Sequence, residues 1–324
     1  MWQMFFVNEL NNLGGAMGRY LNVGILQSES IDSSFDESLK RIETSVNNLM
    51  TGMNKPDIIV GPEMNIGLRW QGERSGDTIP GRVTDILGQL ARKHKIYLMA
   101  GSMLEVQRFD DGTKKLYNSV PIFNPDGELI KVYRKMCPYT PVEGNFTPGN
   151  EYVTFEIKEK KTTIGVLNCH DWCFPEISRN LALMGAEVLI RPAIDPEGLY
   201  SVCKSIPYTR AFENQAYFIS VNMAGAWLDG YAYGHSVIAG PDGTCIYEAG
   251  SSPTALTVSL DLNKISDARR YGTCLTEQLM RQYKLFNFPM PYAGHVGDAP
   301  LYAKLPDADM TLEQREERMK NELE

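Results

Sequence analysis

The chain has 324 residues, a length that fits one large domain or two of ordinary size. Hydrophobic residues make up 43% of it and charged residues 22%, a globular balance that excludes disordered, collagen-like and low-complexity proteins. The formal net charge of −8 argues against a nucleic-acid partner, and no apolar run approaches the ~18 residues that span a bilayer, so we also expect no membrane partner.

The N-terminal stretch, residues 1–20, is interpreted as an appended, partly apolar arm. Its first basic residue is Arg19, so it lacks the basic region that opens a secretory signal. The six cysteines of the chain are too sparse for a disulfide scaffold. We therefore expect a cytoplasmic protein with reduced thiols.

Strand and helix patterns alternate through the first third of the chain. Apolar strand patterns at 21–27, 57–62 and 97–101 are separated by amphipathic helix patterns at 35–50 and around 83–91. This alternation is typical of layered α/β domains.

Paired strands follow, and then the alternation resumes. The expected elements are strands at 116–124, 127–134, 152–158 and 162–168, a helix from about 175, a strand at 187–191, a helix over about 198–215, and strands at 217–222 and 255–262, with two short strands around Pro241. No linker divides these elements, so the pattern predicts one core domain over residues 21–265.

Residues 266–324 form a C-terminal extension of different character. Pro289, Pro291 and Pro300 punctuate an irregular stretch, and 311–324 is predicted to be a highly charged helix. Such a helix is either a solvated surface element or an arm that packs against a partner subunit.

The segment NCHDWCFPE, from Asn168 to Glu176, is the strongest candidate for chemistry. Cys169 lies where a predicted strand ends and a helix begins, and a helix start favours a thiolate. The same position also suits an inert buried cysteine. A metal site of Cys169, His170 and Cys173 is disfavoured by the spacing. A catalytic dyad with the adjacent His170 is disfavoured too, so a base is expected from elsewhere.

Three more ionisable side chains follow predicted strands. Glu63 comes after the strand at 57–62, Lys135 after that at 127–134, and Glu143 lies in the proline-set loop beyond. Taken singly, each also fits an ordinary surface or loop position. Because open α/β sheets carry their sites at the carboxyl ends of strands, these side chains are expected to converge with Cys169.

Three ordered motifs make residues 20–265 resemble the nitrilase superfamily of carbon–nitrogen hydrolases. They are GPE around Glu63, YRK-x₇-E-x₃-TPG from Tyr133 to Gly149, and NCHDWCFPE with R-x₅-GAE up to Glu187. The chain is most similar to the aliphatic amidase and formamidase branch. The resemblance implies a four-layer α-β-β-α sandwich and a homo-oligomer, a dimer or a multiple of dimers, with the C-terminal extension at an interface.

The resemblance also implies roles for the converging side chains. Cys169 would be the nucleophile, Glu63 its general base, Lys135 the oxyanion stabiliser and Glu143 the group that orients the amide nitrogen. The expected reaction converts small aliphatic amides to carboxylic acid and ammonia through a thioester, without cofactor or metal. Hydrolysis of N-carbamoyl compounds or nitriles by the same triad is the alternative. A third possibility is an ammonia-supplying or regulatory subunit.

Four residues are expected to bind substrate. They are Met64, Tyr139, His170 through its backbone N–H, and Arg191, the nearest cation for an acidic substrate. The branch usually carries an aromatic residue in place of Met64 and Trp in place of Tyr139. The size of the acyl group is therefore left open.

Overall fold

The computed structural model describes most of the chain. The described residues are 18–31, 33–67, 76–227, 230–273, 276–286, 288–304, 313, 314, 316, 317 and 320. Nearly all of the arm expected at 1–20, and most of the charged helix expected at 311–324, lie outside these residues. Among those described, no helix is both long and apolar enough to cross a membrane.

One seven-stranded sheet is built largely from the N-terminal half. Its spatial order is β15 (Thr254–Asp261), β1 (Tyr20–Gln27), β2 (Ile58–Val60), β3 (Tyr97–Met99), β5 (Lys114–Phe123) and β4 (Met103–Arg108), with β6 (Leu129–Arg134) also paired to β5. The three strands β1, β2 and β3 are parallel, and β15 and β5 flank them as antiparallel neighbours.

A six-stranded sheet faces the first. Its order is β14 (Cys245–Glu248), β13 (Val237–Ala239), β10 (Tyr217–Asn222), β9 (Val188–Ala193), β8 (Thr162–Val166) and β7 (Val153–Ile157). Here β8, β9 and β10 are the parallel strands. A separate hairpin of β11 (Ala224–Trp227) and β12 (Gly230–Tyr233) follows β10.

Helices cover the outer faces of the two sheets. They are α1 (Phe35–Met50), α2 (Arg82–His94), α3 (Thr140–Glu143), α4 (Pro175–Leu183), α5 (Tyr200–Cys203), α6 (Ile206–Asn214), α7 (Asn263–Tyr271) and α8 (Leu279–Tyr283). The first begins as its sequence predicts, because the Ser34 hydroxyl and the Glu37 carboxylate form a reciprocal capping box.

Three apolar clusters show the layering. The largest joins side chains of β1, β2 and β3 to side chains of β8, β9 and β10, between the two sheets. A second packs α1 and α2 on the first sheet, and a third packs α4 and α6 on the second sheet. The order is thus helix, sheet, sheet, helix, which confirms the predicted four-layer sandwich.

Two sequence expectations are corrected. The helix expected over about 198–215 is a turn of 3₁₀ helix at Glu197–Leu199 followed by the separate helices α5 and α6. Pro207 explains the break, because proline has no N–H to continue the helix and its ring clashes with the carbonyl of the residue four positions earlier. The strand β4 and the hairpin β11–β12 are present although the sequence reading did not predict them.

Candidate active site

Glu63, Lys135, Cys169 and Glu143 meet in one pocket, as the positions of the strand ends predict. Glu63 follows β2, Lys135 follows β6 and Cys169 follows β8, while Glu143 ends the short helix α3. All four line the same cavity. Their exposed fractions are 3% for Glu63, 2% for Lys135, 8% for Cys169 and 7% for Glu143. Because the site is nearly water-free, its charges act on one another with little screening.

Lys135 is held between two carboxylates. Its Nζ lies 2.7 Å from Glu63 Oε1 and 2.6 Å from Glu143 Oε2. Burial opposes the charge on Lys135, but the two carboxylates outweigh burial and raise its pKa well above the ordinary value. The ammonium group therefore remains charged at neutral pH.

Asn118, which the sequence analysis missed, connects the two carboxylates. Its Nδ2 donates to Glu63 Oε1 at 2.8 Å and to Glu143 Oε1 at 2.6 Å, and its own Oδ1 accepts from Asn168 Nδ2 at 2.9 Å. A buried asparagine in the middle of the otherwise apolar strand β5 was the signal in the sequence, because such a side chain must find partners inside the protein.

Glu63 is placed to accept a proton. Its Oε2 accepts a hydrogen bond from the Ile194 backbone N–H at 3.2 Å, and the Cys169 thiol hydrogen-bonds to the same carboxyl group. Burial, with the nearby charge of Glu143, raises the pKa of Glu63 in spite of Lys135. A carboxylate of raised pKa beside a thiol is a stronger base than an exposed one.

Cys169 starts a 3₁₀ turn and not an α-helix. The turn spans Cys169–Cys173, and the α-helix begins only at Pro175, which corrects the expectation of a helix start. The backbone of Cys169 is left-handed, with φ of 47°, an uncommon conformation that residues at functional sites often adopt. Burial and the neighbouring Glu63 carboxylate raise the pKa of the thiol well above its ordinary value. The resting form is therefore the neutral thiol, which needs a base.

Asp171 holds this turn in place. Its Oδ2 accepts from the Tyr133 hydroxyl at 2.6 Å and from the Asn168 backbone N–H at 2.8 Å. Its Oδ1 accepts from the Cys137 backbone N–H at 2.8 Å. These three bonds tie the turn that carries Cys169 to the end of β6 and to the segment after it.

Arg191 does not line the pocket, and its expected role in substrate binding is therefore corrected. It is fully buried, and its two terminal nitrogens donate to the Asp195 carboxylate at 2.7 and 2.8 Å. Its Nε donates to the Cys169 carbonyl at 2.8 Å, and its guanidinium lies 3.3 Å from the centre of the Trp172 ring. Asp195 Oδ1 in turn lies 3.7 Å from Cys169 Sγ. The ion pair supports the nucleophile from behind.

The other predicted binding residues divide into two groups. Met64 and Tyr139 line the cavity as expected, and the Tyr139 backbone N–H donates to Glu143 Oε2 at 2.6 Å. The His170 ring lies outside the lining, edge-on against Tyr139 and Phe174. Only its backbone N–H remains a candidate for contact with substrate.

Four further lining residues were missed by the sequence analysis. They are Val142, Phe146, Ile194 and Trp227. They come from α3, the loop after it, the end of β9 and the hairpin β11–β12. Ordinary apolar residues in loops carry no sequence signal of their own. Within the described ranges, no three or more His, Cys, Asp or Glu side chains are grouped to hold a metal ion.

Chemically, the pocket combines a thiol, a proton acceptor and a fixed cation. This set suits nucleophilic attack on an electrophilic carbon next to nitrogen or oxygen, with the cation beside the developing negative charge.

Comparison with known proteins agrees with this chemistry. A formamidase of Bacillus cereus strain G9842 is 28% identical over 246 residues, which are 74% of this chain and 72% of that protein. Saccharomyces cerevisiae Nit3, a member of branch 10 of the nitrilase superfamily, is 26% identical, with a TM-score of 0.69 over 80% of this chain and 96% of Nit3.

An amidase from Nesterenkonia sp. AN1 has the same fold. It is 21% identical, with a TM-score of 0.63 over 79% of this chain and 95% of that one. The family model described as carbon-nitrogen hydrolase matches residues 22–270, well over half of the sequence. The chain therefore belongs to the carbon–nitrogen hydrolase family, within the nitrilase superfamily, and is an enzyme of that class.

Proposed function

We propose that this enzyme hydrolyses small aliphatic amides to a carboxylic acid and ammonia through a thioester on Cys169. The observation that carries the proposal is one buried pocket in which Glu63 contacts both the Lys135 ammonium group and the Cys169 thiol. The similarity to formamidases supports it. So does the Nesterenkonia amidase, which in one structure carries the acetamide moiety of fluoroacetamide on its active-site cysteine.

Acylation begins with the proton of the Cys169 thiol. Glu63 takes this proton as sulfur attacks the amide carbonyl carbon, so that a C–S bond forms and the carbonyl oxygen becomes an oxyanion. Lys135, with the backbone N–H of His170, stabilises that oxyanion. Glu63 then gives its proton to the amide nitrogen, the C–N bond breaks, ammonia leaves and a thioester remains.

Deacylation uses the same groups with water. Glu63 takes a proton from a water molecule, which attacks the thioester carbon, and Lys135 again faces the oxyanion. The C–S bond then breaks, the carboxylic acid leaves and the Cys169 sulfur recovers its proton from Glu63. Glu143 stays ionised throughout, because Lys135 and its hydrogen bonds lower its pKa despite burial. It holds Lys135 in place and accepts from the amide N–H of the substrate.

The lining of the pocket favours amides over N-carbamoyl amino acids. An acidic substrate needs a cation for its carboxylate, and Arg191 is already committed to Asp195. Lys135 is committed to Glu63 and Glu143. The lining outside the catalytic group is apolar or aromatic. A neutral, compact substrate therefore suits the pocket better than a charged one.

The test is ammonia release from formamide, acetamide, propionamide, an N-carbamoyl amino acid and a nitrile. Cys169→Ala serves as the inactive variant, and Cys173→Ala, which changes an exposed thiol four residues away, is the matched control. We expect release from the short amides, lost in Cys169→Ala and retained in Cys173→Ala. Turnover confined to the carbamoyl compound or the nitrile contradicts the proposed substrate but keeps the triad. Equal loss in both variants contradicts the assignment of Cys169.

A further inference from the structure

The pocket has a polar side and an apolar side. Glu63, Lys135, Glu143 and Cys169 form the polar side. The other lining residues are apolar or aromatic: Met64, Tyr139, Val142, Phe146, Ile194 and Trp227. An amide that places its carbonyl carbon at Cys169 and its nitrogen among the carboxylates directs its acyl chain toward this apolar wall.

The space in front of the wall is small. The volume open to the centre of a water molecule is about 30 Å³. A single water needs about 10–15 Å³ on the same measure. A formyl or acetyl group fits such a space, whereas a butyryl group requires the wall to be further away.

Trp227 is the largest side chain of the wall. It ends β11, is 8% exposed, and packs in one apolar cluster with Met64, Phe146 and Ile194. The alternation of the hairpin turns Trp227 inward, whereas Tyr231, on the paired strand, is 61% exposed. One hairpin thus carries one aromatic side chain in the pocket and another in solvent.

Hydrogen bonds outside the pocket fix the hairpin backbone. The Ser30 N–H donates to the Ala224 carbonyl at 2.7 Å, and the Ala224 N–H donates to the Ser28 carbonyl at 3.0 Å. On the other strand, the Tyr233 N–H donates to the Asp195 carbonyl at 3.2 Å. A smaller side chain at position 227 should therefore leave a space continuous with the pocket, because anchored surroundings relax only partly into a cavity.

We infer that Trp227 determines the longest acyl chain that this enzyme accepts and restricts it to formyl- and acetyl-sized groups. The inference rests on the proposed amide hydrolysis and adds a residue that selects the substrate. One methylene group in an apolar pocket changes kcat/KM by about 10–200-fold. The two additional methylenes that separate butyramide from acetamide should therefore be strongly discriminated by the wild-type wall.

The experiment compares kcat/KM for acetamide and butyramide in the wild type and in a graded series, Trp227→Phe, Trp227→Leu and Trp227→Ala. Tyr231→Ala is the matched control, because it removes an aromatic side chain from the same hairpin outside the pocket. Thermal melting identifies the variants that fold, and the smaller changes extend the series if the alanine variant does not fold.

We expect the ratio of butyramide to acetamide kcat/KM to rise along the series, by about tenfold or more in the smallest folded variant. The ratio should stay at the wild-type value in Tyr231→Ala. An unchanged ratio in the folded Trp227 variants, or an equal rise in Tyr231→Ala, overturns the role of Trp227. A folded wild type that releases ammonia from no amide contradicts the proposed function, which is a separate outcome.

Discussion

Two buried carboxylates contact the same ammonium group, yet their pKa values move in opposite directions. Burial and the charge of Glu143 raise the pKa of Glu63. Lys135, Asn118 and the Tyr139 backbone N–H lower the pKa of Glu143 in spite of burial. Such a difference in environment separates the roles of paired acids. Glu63 can exchange protons during the reaction, whereas Glu143 remains a fixed negative charge.

The pH dependence of activity should show this difference. Glu63 must be ionised to take the thiol proton, so kcat/KM for acetamide should fall as the pH drops through its pKa, above the ordinary value of 4.5. Glu143→Gln removes a like charge, so the acidic limb of the remaining activity should move to lower pH. A pH series on both proteins measures this. A limb at or below pH 4.5 in the wild type, or one that does not move in the variant, contradicts the assignment.

Strand ends are visible in a sequence, and burial is not. Glu63, Lys135 and Cys169 could be predicted to meet because each directly follows an apolar strand. Arg191 was misplaced because it is itself within a strand, β9, and its partner Asp195 lies just beyond the end of that strand. The pattern of apolar residues gave no indication that the pair would close on itself beneath the nucleophile.

At the scale of elements, the site depends on how β9 and its neighbours end. The strand places Arg191 under the Cys169 turn, and the residues after it supply the Ile194 N–H for Glu63 and the Asp195 carboxylate. The apolar wall of the pocket comes from the hairpin β11–β12 and the segment around α3. The sequence patterns used here did not predict the hairpin, because its strands are short and rich in small residues.

The ion pair at the end of β9 should be essential to stability as a pair. Arg191→Leu leaves the buried Asp195 carboxylate without its partner and should destabilise the fold by about 3–5 kcal/mol. The double variant Arg191→Leu with Asp195→Leu removes both charges and should cost less than the sum of the two single changes. Urea unfolding of all four proteins measures the coupling. Additive losses contradict a tightly coupled pair.

At the scale of the whole molecule, the two sheets contribute different parts of one reaction centre. Glu63, Lys135 and Asn118 come from the first sheet, whereas Cys169 and Arg191 come from the second. Hydrogen bonds from Asn168 to Asn118 and from Ile194 to Glu63 join the two sheets at the pocket. The face-to-face packing of the sandwich is therefore a condition for assembling the site.

We propose that the C-terminal extension joins copies of this chain. Leu285, Phe286 and Phe288 are 70%, 60% and 56% exposed, which is costly for large apolar side chains that lie close together. Replacing all three with serine should lower the particle mass measured by light scattering after size exclusion, while the melting of the sandwich core is retained. A wild-type monomer, or an unchanged mass in the variant, contradicts this proposal.

The thioester is tested most directly by offering the enzyme a second nucleophile. During turnover of acetamide, hydroxylamine should compete with water for the acyl group on Cys169 and yield acetohydroxamate alongside acetate. We expect both products together with ammonia, and none of the three from the folded Cys169→Ala variant. Ammonia and acetate without hydroxamate at high hydroxylamine concentration, or full product formation by Cys169→Ala, would contradict covalent catalysis by this cysteine.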